Sequence, residues 1–403
     1  MRPSPRFLHL PALLWCAWLT GALLPHPGQA QDGWKATWKN GTRIESEDGR
    51  FAIKIGGQIQ ADFSFADSDS SLAGAFDIED GSELRRARLF VEGTLYERVE
   101  LKAQYDFAGG DAAVKDVYVG LTGLPVVGGL RAGHFKEPFG LEELTSSNYL
   151  SFLERSFPVE AFAPSRNIGL MVYDAVAGER VTWAVGVFKD TDDFGEAVGD
   201  EWNLTGRITG VAFADDETDT LLHLGLGVSS RSPVDDSVRF RARPQSHLAP
   251  RLVDTRSFAG DGADLVGLEA ALTRGPFWAQ SEWMRASASG PADSDLAGWY
   301  LQTGWFLTGE SRPYKRSAAV FDRVRPESDF LSGGGAGAWE IALRYGSLDL
   351  TDGGVAGGEQ DGFGVALNWY LNPASRVMLD WVTSELEEAG SVDFVLLRVQ
   401  VDF

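Results

Sequence analysis

The amino-acid sequence predicts an all-β protein, specifically a transmembrane antiparallel β-barrel of about 16 strands. Three observations lead to this prediction. Apolar and polar residues alternate in segments of about ten residues along most of the chain. No stretch after residue 30 has the roughly 18 apolar residues of a membrane-spanning helix. Short connections between the segments alternate with long polar ones, which is typical of outer-membrane barrels.

The alternation sorts each segment into an apolar and a polar face. In residues 86–95, "RARLFVEGTL", the leucines and Val91 share one face with Gly93, whereas the arginines and Glu92 share the other. The last ten residues, "FVLLRVQVDF", follow the same pattern up to Phe403. In a large soluble β-protein the apolar face would be the core, so alternation alone leaves that alternative open. Aromatic residues at the ends of the apolar faces favour the membrane barrel.

The absence of a helical span supports the same fold. After residue 30 the longest uncharged stretch is "VYVGLTGLPVVGGL", residues 117–130, and it contains both glycine and proline. A closed barrel is the other backbone arrangement that satisfies its own hydrogen bonds in lipid.

The connections suggest how the strands are joined. "NPAS", 372–375, predicts a tight periplasmic turn, while the polar segments 237–264 and 351–362 predict long extracellular loops. With about 22 residues per strand and connection, the chain after residue 30 accommodates about 16 strands.

Residues 1–30 are expected to be a cleaved signal peptide that directs export to the bacterial outer membrane. Arg2 and Arg6 precede an apolar stretch, and small residues end at Ala30. A transmembrane anchor is the alternative, but prolines interrupt and close the stretch. Residues 31–50 form a short N-terminal extension with two tight-turn signals, Asn40-Gly41 and Asp48-Gly49, and residues 51–403 form the barrel.

Composition excludes several functional classes. The chain carries 36 basic and 58 acidic residues, a net charge of −22, which disfavours binding to nucleic acid. The single cysteine, Cys16, lies in the signal segment, and the only histidines after that segment are His134, His223 and His247. We therefore expect no enzyme activity, no cofactor and no metal site.

One connection, residues 134–167, is too long for a turn and too apolar for a hydrated loop tip. Its phenylalanines and leucines need cover, which indicates a third loop folded into the barrel, where it would constrict the pore. The alternative is a surface loop packed against neighbouring subunits. The candidate constriction residues are Lys136, Arg155 and Arg166.

Several strings resemble one family across nearly the whole chain after residue 30. "ELRRARLFVEG", "GHFKEPFG", "FLERSFPVEAFAPSRNIG", "GAWEIALRYGSLDL", "LNWYLNPASRVMLDW" and the terminal Phe403 resemble the phosphate-selective porins O and P. The resemblance implies a 16-stranded homotrimeric barrel that passes small anions such as phosphate or polyphosphate along a ladder of arginines. It also implies that Phe403 is the end signal read by the barrel assembly machinery, and that the outer surface contacts lipid and lipopolysaccharide.

The alternation assigns basic residues to the inner face, because placing one against lipid costs about 2–4 kcal/mol at mid-membrane. The candidate ladder comprises Arg85, Arg86, Arg88, Lys102, Arg131, Arg207, Arg344, Arg376 and Arg398. Strict alternation would point Arg85 outward, so it must lie at a rim or follow a β-bulge. Five glutamates accompany the three basic residues of the third loop, and acidic residues dilute the ladder. Each arginine could therefore pair with a wall carboxylate instead of serving solutes. Three hypotheses follow: an anion channel, a general porin of mixed selectivity, and a non-channel envelope protein that binds glycan.

Overall fold

The computed structural model describes residues 33–403 apart from 39–40, 190–198, 200, 234, 291–292, 332–333 and 388. Sixteen antiparallel strands close into a barrel, as predicted. The predicted signal peptide, 1–30, lies outside the described residues. The strands are β1 (Phe51–Ser68), β2 (Gly81–Leu95), β3 (Val99–Asp106), β4 (Ala113–Leu124), β5 (Gly128–Lys136), β6 (Arg166–Val176), β7 (Val181–Lys189), β8 (Asn203–Asp215), β9 (Thr220–Arg231), β10 (Gly262–Arg274), β11 (Phe277–Ser289), β12 (Ser294–Phe306), β13 (Ala338–Asp352), β14 (Val355–Asn372), β15 (Ser375–Leu386) and β16 (Gly390–Asp402).

The barrel closes between its first and last strands. β16 pairs with β1 from Val392 opposite Ser68 to Asp402 opposite Gln58. Phe403 extends the ladder, because its N–H donates to the Gly57 carbonyl at 2.9 Å and its own carbonyl accepts from the Gly57 N–H at 2.8 Å. Closure leaves no strand edge facing lipid along this seam.

A hairpin of strands Trp34–Trp38 and Thr42–Ser46 precedes the barrel. Its second strand pairs with β1 from Thr42 opposite Ile55 to Glu45 opposite Ala52. β16 pairs with β1 only as far as Gln58, so the hairpin pairs with a part of β1 that β16 does not cover.

The outer wall is apolar and the inner wall carries the polar side chains, as alternation predicts, but part of the inner wall is also apolar. Apolar side chains such as Leu89, Leu204 and Val399 are exposed on the outside. Inside, however, the wall from β10 to β16 also carries apolar side chains, including Met284, Leu296 and Leu348, which are buried in hydrophobic clusters. This half of the interior is therefore packed with protein, whereas the wall from β1 to β8 borders open space.

Connections at the two rims follow the predicted arrangement only in part, and some connections at the rim predicted to carry long loops, such as 107–112, are short. Most turns at the rim that holds the C-terminus, here called the terminal rim, are short, but residues 307–337 form a long connection there. At the opposite, loop rim, the segment 351–362 is not the long loop that its glycines predicted. Strands β13 and β14 continue through it to a tight turn at Gly353 and Gly354, with Asp352 opposite Val355.

In the part of the chain that the structure describes, helices are few and short. They are α1 (Ser70–Ala75), α2 (Leu141–Leu144), α3 (Phe157–Phe162) and a 3₁₀ turn, Arg316–Ala318; two-residue strands pair Ser237–Val238 with Phe258–Ala259, Arg241–Ala242 with Val253–Asp254 and Tyr314–Lys315 with Val320–Phe321. Among the described residues, no helix has the length and apolar character needed to cross a membrane.

Candidate functional site

Loop 3, residues 137–165, lies inside the barrel against the packed half of the wall. Phe157 and Phe162 share one hydrophobic cluster with Met284 and Leu348, and Phe152 belongs to a second cluster. All three phenylalanines are buried. The loop is thus fixed to the inner wall by burial of large apolar side chains, each of which stabilises by about 1.5–3 kcal/mol.

Carboxylates of the wall hold the loop backbone in place. The N–H groups of Leu141 and Glu142, at the start of α2, each donate to Glu282 on β11 at 2.8 Å. On β15, Asp380 accepts from the Leu153 N–H, also at 2.8 Å. Because buried backbone groups need partners, these contacts fix where the loop crosses the lumen.

Three ladder arginines also bind loop carbonyl groups. Arg344 donates to the Glu154 carbonyl at 2.8 Å, Arg376 to that of Leu150 at 2.7 Å, and Arg398 to that of Leu153 at 2.6 Å. All three side chains are at most 2% exposed. The structure therefore places them behind loop 3 as anchors, away from open space.

Glu154 is the centre of an arginine cluster at the inner edge of loop 3. Arg85 binds it through two hydrogen bonds of 2.8 and 2.9 Å, and Arg398 donates to it at 2.9 Å. Arg86 lies 3.9 Å away. Burial opposes ionisation of Glu154, but these guanidinium groups hold its pKa well below the ordinary glutamate value.

A β-bulge explains how Arg85 reaches this cluster. Gln60 on β1 pairs with Arg86, but the next residue, Ala61, pairs with Leu84, so Arg85 has no direct partner. The extra residue turns the Arg85 side chain inward. A β-bulge was one of the two explanations that the sequence analysis allowed for Arg85, the other being a position at the rim.

A central chamber of about 360 Å³ lies between loop 3, the wall and the terminal rim. Its charged lining is strongly unbalanced, with nine basic side chains against four acidic ones. The basic residues are Lys54, Arg86, Arg88, Lys102, Lys136, Arg155, Arg166, Lys315 and Arg323, and the acidic residues are Glu92, Asp116, Asp322 and Asp402. The predicted site residues Arg86, Arg88, Lys102, Lys136, Arg155 and Arg166 are thus brought together here.

Many of these cations have a carboxylate partner. Arg88 donates to Asp106 at 2.7 Å, Arg166 to Asp116 at 2.8 Å, and Arg155 lies 2.9 Å from Glu143. Arg86 is paired more loosely, because its hydrogen bond goes to the amide oxygen of Gln60 at 2.6 Å, its Nε has no hydrogen-bond partner, and Glu154 lies 3.9 Å away.

Two more ladder residues, Arg131 and Arg207, do not line the central chamber. Arg131 pairs with Glu100 at 3.0 Å and stacks over Tyr118. Arg207 is bound to Glu269 by hydrogen bonds of 2.8 and 2.7 Å. Both line a side chamber next to the central one.

The long connection at the terminal rim forms a strap, residues 310–324, which enters the lumen. Arg312 lies against the rings of Trp278 and Phe321, 4.0 and 3.7 Å from their centroids. Tyr314 shares a 2.7 Å hydrogen bond with His223 on β9. Through Lys315 and its neighbours the strap forms one side of the central chamber, a feature that we did not predict from the sequence.

The long loop predicted at 237–264 is present at the loop rim, but its arginines were not among the predicted site residues. Residues 232–261 include "RFRAR", with Arg239, Arg241 and Arg243 at alternate positions, followed by Arg251. Burial, and then Arg243 and Arg241, lower the pKa of Arg251, which indicates crowded positive charge. The sequence did contain a signal for this basic cluster, namely arginines at alternate positions within a segment that we interpreted as a hydrated loop.

This loop and loop 3 enclose an outer chamber of about 250 Å³. Arg85, Arg243 and Glu160 line it, and Arg155 lines both this chamber and the central one. Arg155 also donates to the carbonyls of Glu142, Glu143 and Thr145 at 3.1 Å, which holds it at the boundary. Among the described residues, no group of three or more histidine or acidic side chains is arranged to hold a metal ion.

Comparison with known proteins gives a consistent result. The family described as phosphate-selective porin O and P matches residues 53–403. Porin O of Pseudomonas aeruginosa is 27% identical over 391 residues, covering 87% of this chain and 86% of porin O. An uncharacterised protein of Caulobacter vibrioides is 31% identical over 347 residues, covering 83% of this chain and 68% of that protein.

Solved structures share the fold. An anion-selective porin from Comamonas acidovorans aligns with a TM-score of 0.54 at 14% identity, covering 88% of this chain and all of that porin. The outer membrane channel DcaP of Acinetobacter baumannii aligns with a TM-score of 0.53 at 11% identity, covering 89% and 99% of the two chains. At these identities the likeness shows the fold alone. Together with the family match over most of its length, it shows that the chain is an outer-membrane porin and belongs to the phosphate-selective porin O and P family.

Proposed function

We propose that this porin lets small anions diffuse passively through its lumen, with phosphate or polyphosphate as the solute class. One observation carries the proposal: the central chamber has an excess of five basic side chains in a protein whose net charge is −22. Positive charge is therefore concentrated at the chamber while the rest of the molecule is acidic. Such a local field attracts anions and repels cations in a confined space.

The proposed path runs from the loop rim to the terminal rim. Anions meet the arginine-rich loop first, enter the outer chamber, pass Arg155, and reach the central chamber between Arg86 and Lys315. Guanidinium groups suit such a path because they stay charged and bind phosphate oxygens in pairs. Arg344, Arg376 and Arg398 contribute by holding loop 3 rather than by touching solutes.

A general porin of mixed selectivity is the second candidate. The extensive pairing of lumen arginines with carboxylates favours it, because a paired cation attracts a passing anion less strongly. The two candidates differ in one measurable property, the competition between phosphate and chloride for the chamber.

The proposal also includes the export, membrane assembly and oligomeric state of the protein. The protein would be exported through cleavage of residues 1–30, assembled into the outer membrane with Phe403 read by the barrel assembly machinery, and would form homotrimers in contact with lipid and lipopolysaccharide. Its family membership and the outer-membrane fold support these expectations.

A planar-bilayer titration tests the proposal. Chloride current through the purified porin is recorded while phosphate is added to one side. We expect phosphate to reduce the chloride current at concentrations well below that of chloride, and Lys315→Ala to weaken this block. A chloride current that phosphate leaves unchanged at these concentrations would support the general porin. Absence of any conductance would refute a channel.

A further inference from the structure

The N-terminal hairpin has one apolar and one polar face. Trp34, Ala36 and Trp38 alternate along its first strand and lie opposite Ser46, Ile44 and Thr42. These positions share one face because directly opposed residues of an antiparallel pair point to the same side. The other face carries Lys35 and the ion pair of Arg43 with Glu45 at 2.8 Å.

The apolar face is exposed. Trp34 is 51% exposed, Trp38 is 68% exposed and Ile44 is 36% exposed. Two exposed tryptophans with an isoleucine between them form a patch of a kind that soluble surfaces seldom display.

The register joins this patch to the outer wall of the barrel. Ile44 lies opposite Ile53 and Thr42 lies opposite Ile55, and both isoleucines of β1 are exposed on the outside. On the other side of β1, Ile55 lies opposite Val91 and Phe51 lies opposite Leu95, so the apolar outer surface continues past the hairpin on β2. The patch is therefore an extension of the lipid-facing surface toward the terminal rim.

We infer that the outer face of the hairpin binds the phospholipid interface of the membrane at the terminal rim. Tryptophan prefers this zone because its ring is apolar while its N–H can reach water and headgroups. Neighbouring residues fit the same zone, since Phe51 packs edge-on against Tyr96 at 4.7 Å and Arg50 lies 5.1 Å from the Tyr96 ring.

The hairpin also supplies hydrogen-bond partners for backbone groups of β1 that the barrel leaves unpaired. β16 ends opposite Gln58 and Phe403 bonds Gly57, which leaves one edge of β1 from Ala52 to Ile55 without a barrel partner. Unpaired backbone groups next to lipid are costly, and the strand Thr42–Ser46 satisfies this edge. A lipid-bound hairpin would thus seal the base of the seam between the first and last strands.

Spin labels test this placement directly. In a Cys16→Ser background an introduced cysteine is the only thiol of the chain. Ala36→Cys places the label on the outer face and keeps both tryptophans, whereas the control Thr37→Cys places it on the opposite face of the same strand. The labelled proteins are reconstituted in phosphatidylethanolamine–phosphatidylglycerol vesicles, and collisions with oxygen and with a water-soluble nickel chelate are measured.

We expect the label at position 36 to lose most of its collisions with the nickel chelate while it keeps those with oxygen, and the label at position 37 to show the reverse. Adding Trp34→Ser and Trp38→Ser to Ala36→Cys should restore collisions with the chelate. Equal access of the chelate to both positions would overturn the inference. Dipolar broadening between labels at position 36 would overturn it too, because that result assigns the face to a second copy of the chain.

Discussion

Glu154→Gln should make the pore more selective for anions. The carboxylate of Glu154 neutralises Arg85 at 2.8 Å and lies 2.9 Å from Arg398 and 3.9 Å from Arg86. Glutamine keeps the shape of the side chain and removes its charge. The arginine cluster between the two chambers then gains one net positive charge.

The size of the effect follows from Coulomb's law. An anion about 6 Å from the Glu154 carboxylate is repelled by roughly 3 kcal/mol at an effective dielectric constant of about 20. Screening by salt at a Debye length of about 8 Å reduces this value, so we expect a gain of about 1.4 kcal/mol. That gain corresponds to roughly tenfold tighter block of the chloride current by phosphate.

The assay is phosphate block in planar bilayers, with Glu45→Gln as the matched control. Glu45 forms a similar ion pair with Arg43 at 2.8 Å, but on the N-terminal hairpin, and neither residue lines the central or the outer chamber. We expect the control to behave as the wild type. Unchanged or weaker phosphate block in a folded Glu154→Gln protein would refute the view that the Glu154 cluster faces the anion path.

Two further variants and one pH profile separate the roles assigned above. Arg376→Met removes the bond to the Leu150 carbonyl, so we expect noisier and larger single-channel currents with nearly unchanged selectivity; lost anion preference without added noise would instead assign Arg376 to the path. Lys315→Glu adds two units of negative charge to the central chamber and should shift the reversal potential toward cations, whereas Lys35→Glu on the hairpin should not. The pKa of Glu154 is depressed in the folded protein, so its carboxylate stays ionised above the unfolded value of about 4.3 and is neutralised only as pH falls through the folded value. Because phosphate itself changes charge near neutrality, the readout here is the reversal potential in a potassium chloride gradient. The difference in reversal potential between wild type and Glu154→Gln should stay constant from pH 8 to about 5 and disappear only in stronger acid; a midpoint near neutrality would contradict this assignment.

The outer wall could be predicted from the sequence because lipid imposes a strict rule. Lipid-facing positions are predominantly apolar, and so the alternation in β16, and in β2 beyond the bulge at Arg85, assigned the side of residues such as Arg88 and Arg398. The inner wall obeys no such rule. Met284 and Leu296 face inward yet are apolar, because loop 3 covers them, and a single strand cannot reveal which loop packs on it.

The site was predicted only in part for the same reason. Alternation placed Arg344 and Arg376 inside, but it could not show that loop carbonyls bind them. The strap was missed because its inward residues, such as Arg312 and Phe321, lie in an irregular segment without periodicity. The extension of β13 and β14 to the turn at Gly353 was missed because the glycines and acidic residues of 351–362 are typical of a loop, although Leu350 and Val355 on either side of the turn are buried.

The most direct test of anion selectivity is the reversal potential of the wild-type porin in a potassium chloride gradient. The cationic central chamber predicts a value close to the chloride equilibrium potential. A value close to the potassium equilibrium potential would follow from the net charge of −22 if the chamber did not control permeation, and it would contradict the proposed function.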